Sequence, residues 1–286
     1  ALHLVGAGAV AGLTGAAALA KEHGIPNVIT ADMGGTTFDV GLIVDSQERM
    51  YEFDPVVDRW RIHLPVVANF SIGAGGGSIA YLTPEGDLQV GPRSAGSVPG
   101  PACYDQGGTE PTVTDADLVL GYIDPGNFLG GRFALNVRKA ERALRRRIAD
   151  PLGIDVVEAA RRIRALTDGL MGQEIYKQTS LKGHDPRQFV LFAFGGAGPV
   201  HACDIAGYAD VAHIMTFSFG SEFNAYGTAC MNVIQSYEQT HRILLYDPIR
   251  DRWLEDVSEF NAIVDDLLAF AHRDLAEEGF DLDTVR

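Results

Sequence analysis

Short apolar runs rich in β-branched residues, separated by glycine-bearing turns, fill residues 27–90, and the pattern becomes helical after residue 136. Val28 and Ile29 lead into Asp32-Met33-Gly34-Gly35-Thr36-Thr37-Phe38-Asp39, and Val40, Leu42, Ile43 and Val44 follow. That order predicts two antiparallel strands joined by a Gly34-Gly35 turn. Residues 50–53 predict the third strand of a meander, and 59–67 a further strand bounded by Pro55 and Pro65. Residues 71–79 form a second glycine loop through Gly75-Gly76-Gly77, with a helix N-terminus predicted at Ser78. A hairpin is predicted over 82–90, and 91–104 holds too much proline and glycine for regular structure. A short helix follows, capped by Thr114 or Asp115.

Amphipathic helices are predicted over 136–148 and 155–179. A buried strand over 187–194 runs straight into Gly195-Gly196-Ala197-Gly198-Pro199 and a helix over 200–207. Another strand (211–217), a loop (220–227) and a helix to 234 precede an acidic, helical end over 257–276. The fold class is therefore α/β, a mixed sheet with an antiparallel meander plus helices. The organisation reads as one lobe over 1–245, carrying glycine/proline-rich insertions at 71–115, and a C-terminal docking helix over 246–286.

Composition narrows the function classes. The 286 residues are 46% hydrophobic and 21% charged, a globular composition, and no apolar run reaches membrane length. A net charge of −15 argues against a nucleic-acid or anionic-membrane surface. The basic run at Arg142, Arg145, Arg146 and Arg147 lies within a helical pattern and reads as a solvated face. Cys103, Cys203 and Cys230 have no metal-type spacing and cannot all pair, and no basic leader opens the chain; a reducing cytoplasm is the expectation.

The chemistry concentrates in the glycine turns. Asp32 and Asp39 flank a turn whose Gly34, Gly35, Thr36 and Thr37 amides can converge on an anion. Carboxylates beside such a cradle suit magnesium and polyphosphate, the acids holding the cation or its waters. A plain hairpin whose aspartates satisfy turn amides has the same pattern. The strand, glycine turn and helix N-terminus at 187–201 lets backbone approach a base, ribose or phosphate. His201 faces either a ligand or the core, and Arg93 is either an anion clamp or a surface ion pair. A near-match to the dinucleotide fingerprint, Gly6-Ala7-Gly8-Ala9-Val10-Ala11 with Asp32 beyond, is set aside because Asp32 enters a hairpin where a Rossmann unit needs a loop and helix.

Three stretches in this order carry a family resemblance: Asp32 to Asp39; Ile72-Gly73-Ala74-Gly75-Gly76-Gly77-Ser78-Ile79 with the Gly91–Gly96 and Pro99–Tyr104 segments; and Phe194-Gly195-Gly196-Ala197-Gly198-Pro199-Val200-His201. Over about residues 5 to 235 the sequence resembles the hydantoinase A / 5-oxoprolinase family, which includes the ATP-binding subunits of acetone and acetophenone carboxylases. The resemblance implies a ribonuclease-H-like lobe of the actin–sugar kinase–chaperone ATPase superfamily. It implies Asp32 and Asp39 as catalytic and magnesium-holding acids, Gly34, Gly35, Thr36 and Thr37 as the phosphate loop, and Gly195, Gly196 and Gly198 as the adenosine loop. ATP and magnesium are the implied cofactors, with manganese or zinc elsewhere in the complex.

The superfamily's upstream phosphate hairpin has no counterpart here, so the resemblance implies that another polypeptide supplies the missing lobe. Relatives also carry an acid and a histidine where this sequence has Ala68 and Phe70. The function implied is a subunit of a cytoplasmic, multi-subunit ATP-dependent ketone carboxylase, activating a carbonyl, enolate or bicarbonate and inactive alone. A cyclic amide hydrolase of hydantoinase type and a non-catalytic structural subunit are the alternatives.

Overall fold

The computed structural model describes residues 7–47, 51–52, 56–57, 59–61, 66–231, 237–242, 246–253 and 257–284. The chain forms two compact units, Ala1–Met231 and Asn232–Arg286.

The first unit opens with α1 (Ala7–Glu22), followed by β1 (Val28–Met33) and β2 (Phe38–Ile43). The short strands β3 (Tyr51–Glu52), β4 (Val56–Val57), β5 (Trp60–Arg61) and β6 (Val66–Val67) pair among themselves, β3 with β6 and β4 with β5. β7 (Phe70–Ile72) precedes a hairpin of β8 (Ser78–Leu82) and β9 (Leu88–Ser94). Then come α2 (Val113–Val119), α3 (Val137–Leu144), a wide π turn (Arg145–Ala149), α4 (Asp150–Leu152) and the long α5 (Val156–Leu181). β10 (Val190–Phe194), α6 (Gly198–Ala209), β11 (His213–Thr216) and α7 (Phe223–Cys230) close the unit.

One five-stranded sheet organises it, in the order β11-β10-β1-β2-β7. β10 runs parallel to both β1 and β11, whereas β2 is antiparallel to β1 and β7. Side chains alternate across the sheet. Ile29, Ala31, Met33, Phe38, Val40 and Leu42 point into a core shared with α2, α5 and α6. Val28, Ile43, Phe192 and Phe194 point the other way, into a core with Leu13 and Ala16 of α1 and Phe223 of α7. Phe194 and Phe223 stack with ring centroids 4.0 Å apart. Helices thus cover both faces, and the mixed α/β class holds.

Four local expectations are corrected. The meander's third strand is β7, which pairs Phe38 with Ile72 and Asp39 with Ser71; Tyr51 and Glu52 pair instead with Val67 and Val66. Ser78 starts a strand: its Oγ accepts from the Gly75 amide at 2.9 Å, and the apolar run that follows pairs with β9 and has no helical period. The cap of α2 is Thr112, which forms a reciprocal capping box with Asp115. Residues 223–227, read as loop, already belong to α7. The 7–22 segment is helical throughout, so Ala7 and Gly8 of the dinucleotide-like run sit in a helix with no preceding strand among the described residues. The third-strand residues Met50 and Phe53 lie outside the described residues, as do 62–65 of the 59–67 strand.

The second unit contains a two-residue hairpin, β12 (Tyr246–Asp247) with β13 (Arg252–Trp253), and α8 (Ser258–Glu277). Within it, the Tyr237 hydroxyl donates to Asp274 Oδ2 at 3.1 Å.

Candidate functional site

β1 and β2 are in register so that Asp32 stands directly opposite Asp39. With a period of two, both carboxylates fall on the sheet face that carries α7, at the edge where β1 and β10 end. Each is held by an amide from a distant element. Asn224 of α7 donates Nδ2–H to Asp32 Oδ2 at 2.8 Å, and Asn69 donates Nδ2–H to Asp39 Oδ1 at 3.2 Å. Thr37 Oγ1 adds a third bond, donating to Asp39 Oδ2 at 3.2 Å. Burial pushes the Asp32 carboxyl above its ordinary range, the Asn224 amide pulls it back, and the facing Asp39 raises it again. Among the described residues no lysine, arginine or histidine forms an ion pair with either acid.

The turn between them is open. Gly34 N–H is spent on Thr37 O at 3.1 Å, closing the hairpin. The amides of Gly35, Thr36 and Thr37 find no acceptor among the described residues, and all three residues are exposed. Behind the turn lies the second glycine loop: Gly76 N–H donates to Gly34 O at 3.0 Å, and Gly77 N–H to Gly35 O at 2.6 Å. A Cβ on Gly75 would sit 2.8 Å from Gly34 O, Gly35 C and Thr36 N, so only glycine allows this approach. The 73–77 run therefore braces the first turn, and the turn's Gly35, Thr36 and Thr37 amides are left without acceptors among the described residues.

The Gly195–Gly198 turn reaches the same sheet edge because β10 is parallel to β1 and pairs Phe194 with Asp32. Gly195 has φ +79°, donates to Gly220 O at 2.9 Å, and has no room for a Cβ against Asp32 Oδ1 and Met33 O. Ala197 N–H donates to Met33 O at 2.9 Å. Gly196 is exposed with open space around it, and Gly198 begins α6, whose N-terminus has no side-chain cap. All the residues singled out from the sequence (Asp32, Gly34, Gly35, Thr36, Thr37, Asp39, Gly195, Gly196 and Gly198) thus lie along one edge of the sheet.

Four other residues weighed in the sequence resolve differently. Arg93 pairs with Glu110 at 3.1 Å on the surface. Phe70 pairs with Val40 and packs into the core on the sheet face opposite the acid pair, its ring 4.5 Å from Lys182 Nζ. Ala68 is buried. His201 is fully buried. Its Nδ1 lies 2.5 Å from Asp168 Oδ1 and its Nε2 2.9 Å from Asp117 Oδ2. Burial works against the charged ring, but the two carboxylates outweigh it and hold His201 up to about 9, so it is an imidazolium donating to both. Arg164 completes the cluster, 2.7 Å from Asp117 Oδ1 and 3.1 Å from Asp204 Oδ2, donating to Val200 O at 2.6 Å and lying 3.9 Å from the Tyr122 ring.

This cluster ties the two glycine turns together. Thr114, in the first turn of α2, donates both its amide and its hydroxyl to Gly76 O at 2.8 Å. One turn further, Asp117 grips His201, in the first turn of α6. Asn69, Asn224, Asp117, Asp168 and Arg164 were missed in the sequence. Asn69 alone carried a signal, since it stands between Ala68 and Phe70, the two positions that the family resemblance singles out.

Residues 1–237 match the hydantoinase/oxoprolinase family model. The chain belongs to that family. It is 47% identical over 277 residues to the acetophenone carboxylase gamma subunit of Aromatoleum aromaticum, covering 96% of this chain and 38% of that protein. The ATP-dependent caprolactamase structure from Pseudomonas jessenii superposes with a TM-score of 0.74 at 36% identity, covering 96% of this chain and 39% of that one. The nucleotide-free acetone carboxylase structure gives a TM-score of 0.73 at 36% identity, covering 78% and 31%. The chain thus spans under two fifths of the length of these relatives. Among the described residues no helix is long and apolar enough to cross a membrane.

Proposed function

We propose that this family member supplies half of an ATP-binding phosphoryl-transfer site in a multi-subunit, cytoplasmic ketone carboxylase of the acetone/acetophenone type. The observation that carries the reading is the acid pair Asp32/Asp39 beside three amides that have no acceptor among the described residues, on one sheet edge with the Gly195–Gly198 turn. We assign the sheet to the ribonuclease-H-like lobe of the actin–sugar kinase–chaperone superfamily, on the antiparallel β1–β2–β7 run beside parallel β10 and β11.

Two carboxylates facing each other with no cation from the chain among the described residues fit magnesium, which takes one or two carboxylates together with waters and phosphate oxygens. Asp32 and Asp39 would hold that ion, which neutralises phosphate charge when bound. The Gly35, Thr36 and Thr37 amides would take phosphate oxygens, and Gly195, Gly196 and Gly198 would let the adenosine side approach. Phosphoryl transfer asks a protein mainly for positioning and charge neutralisation, which fixed amides and oriented carboxylates provide. Asn69 and Asn224 aim the acids without adding charge. A lobe outside these residues completes the cleft. The 246–286 segment serves as a docking element, on the strength of exposed Phe260, Val264 and Leu268 spaced four residues apart on α8.

Cyclic amide hydrolysis is the second reading, favoured by the caprolactamase likeness. In the assembled complex, Asp39→Ala should lower ATP turnover at least about a hundredfold with assembly unchanged by size-exclusion chromatography. Unchanged turnover would remove Asp39 from the mechanism. Turnover that depends on bicarbonate marks the carboxylase, and turnover that depends only on a lactam marks the hydrolase. If wild-type complex binds no nucleotide at this lobe, the chain is a structural subunit.

A further inference from the structure

The basic run is exposed, as its sequence reading expects, and three of its four arginines line a cleft. Lys139, Arg142, Arg146 and Arg147 share a cavity of about 320 Å³ with Ala102, Gly107, Gly108 and Thr109. Lys139 is occupied by Asp105. The other nearby acid, Glu110, is taken by Arg93. Arg142, Arg146 and Arg147 have no carboxylate within ion-pair distance among the described residues, in a protein whose net charge is −15.

The backbone explains how three guanidinium groups meet there. A regular α-helix advances about 100° per residue, which would leave Arg147 about 140° around the axis from Arg142. Here residues Arg145–Ala149 form a π turn, with the Asp150 amide donating to Arg145 O. That wide turn draws Arg147 toward the side shared by Arg142 and Arg146, and such turns recur where a helix serves a site. Gly107, Gly108 and Thr109 line the same cleft, and their backbone amides find no acceptor among the described residues. Gly107 sits at φ +100°, and a Cβ on Gly108 would strike Gly100 O, so both positions call for glycine.

We propose that this cleft is a second anion site, for a small, multiply charged oxyanion of the phosphate or polycarboxylate type. Guanidinium groups bind such oxyanions through paired, planar hydrogen bonds, and bare glycine amides add donors without adding bulk. A single charge at an exposed arginine gains little, so the ligand that fits carries two charges or more. The inference does not rest on the nucleotide reading.

The test is calorimetric titration of the full-length protein in its complex, at low ionic strength, with pyrophosphate and separately with citrate. One saturable binding event should disappear, or weaken at least tenfold, in Arg142→Ala/Arg146→Ala/Arg147→Ala, and 0.5 M salt should weaken it in wild type. Pyrophosphate binding alone assigns phosphate chemistry; citrate binding alone assigns polycarboxylate. If neither probe binds, or if binding survives the triple substitution, the proposal is wrong. Binding of a hexaglutamate peptide but of neither probe also overturns it, in favour of an acidic protein segment. Should the triple variant fail to assemble, Arg146→Gln must show the same weakening in smaller degree, and unchanged affinity there overturns the site.

Discussion

Two groups of charges in the first unit are built on opposite terms. The inner cluster of Asp117, Asp168, Arg164 and His201 sets two buried carboxylates against two cations, with an added bond from Arg164 to Val200 O. At the sheet edge, Asp32 and Asp39 face each other with amide donors but no cation from the chain among the described residues. Asn224 even keeps a buried Oδ1 without a hydrogen-bond partner in order to serve Asp32. The first arrangement pairs its cations with its own carboxylates and holds structure, although Asp168 Oδ2 also lacks a hydrogen-bond partner. The second, among the described residues, has no cation from the chain and leaves turn amides without acceptors, which is what the proposed cation and phosphate site needs.

The contrast gives graded expectations. Asp117→Ala strips a carboxylate from both His201 and Arg164, and breaking a buried pair in this way should destabilise the chain by about 3–5 kcal/mol, read as the urea midpoint. A loss near zero would mean the cluster is not what holds α2 to α6. Gly195→Ala places a Cβ at positive φ against Asp32 and Met33; about 1–3 kcal/mol of stability should go, together with nucleotide affinity. Retained affinity would detach this turn from the site.

Next in size is a pH effect. His201 is held up from 6.5 to about 9, so its contribution is complete below about 6.5 and is lost as pH rises through about 9. Asp117, Asp168, Asp204 and Arg164 are the charged groups around it, and His201→Gln should flatten the stability profile between pH 7 and 9.5. The smallest effect concerns Asp32, whose raised pKa means that ionisation at neutral pH works against folding. Asp32→Asn should therefore raise the melting midpoint by about 2 °C while weakening magnesium–nucleotide binding. A lower midpoint would show the acid pair to be structural.

The hairpin was legible because its signals are local: apolar runs, a Gly-Gly turn, and a separation that sets Asp32 against Asp39. The Gly195 turn was legible for the same reason. What stayed hidden depends on long-range packing. Asn224 is 192 residues from Asp32, and His201 is 84 residues from Asp117. Nothing in the neighbourhood of either residue announces its partner. At Ser78 a glycine run resembled the approach to a helix, yet the residues beyond it had strand chemistry, and pairing with β9 decided the outcome. The arginine run is exposed, as its helical pattern implied, but its gathering at one cleft was not legible because a helical wheel assumes regular winding and the π turn departs from it.

The back-to-back bonding of the glycine loops has a mechanical consequence. Gly34 is fastened to Gly76, Gly76 to Thr114, and α2 through Asp117 to the root of α6, where the second turn begins. The two turns therefore travel as one jaw. If the proposed nucleotide site is right, opening it would have to come from motion of this linked unit against the proposed second lobe more than from the two turns parting from each other.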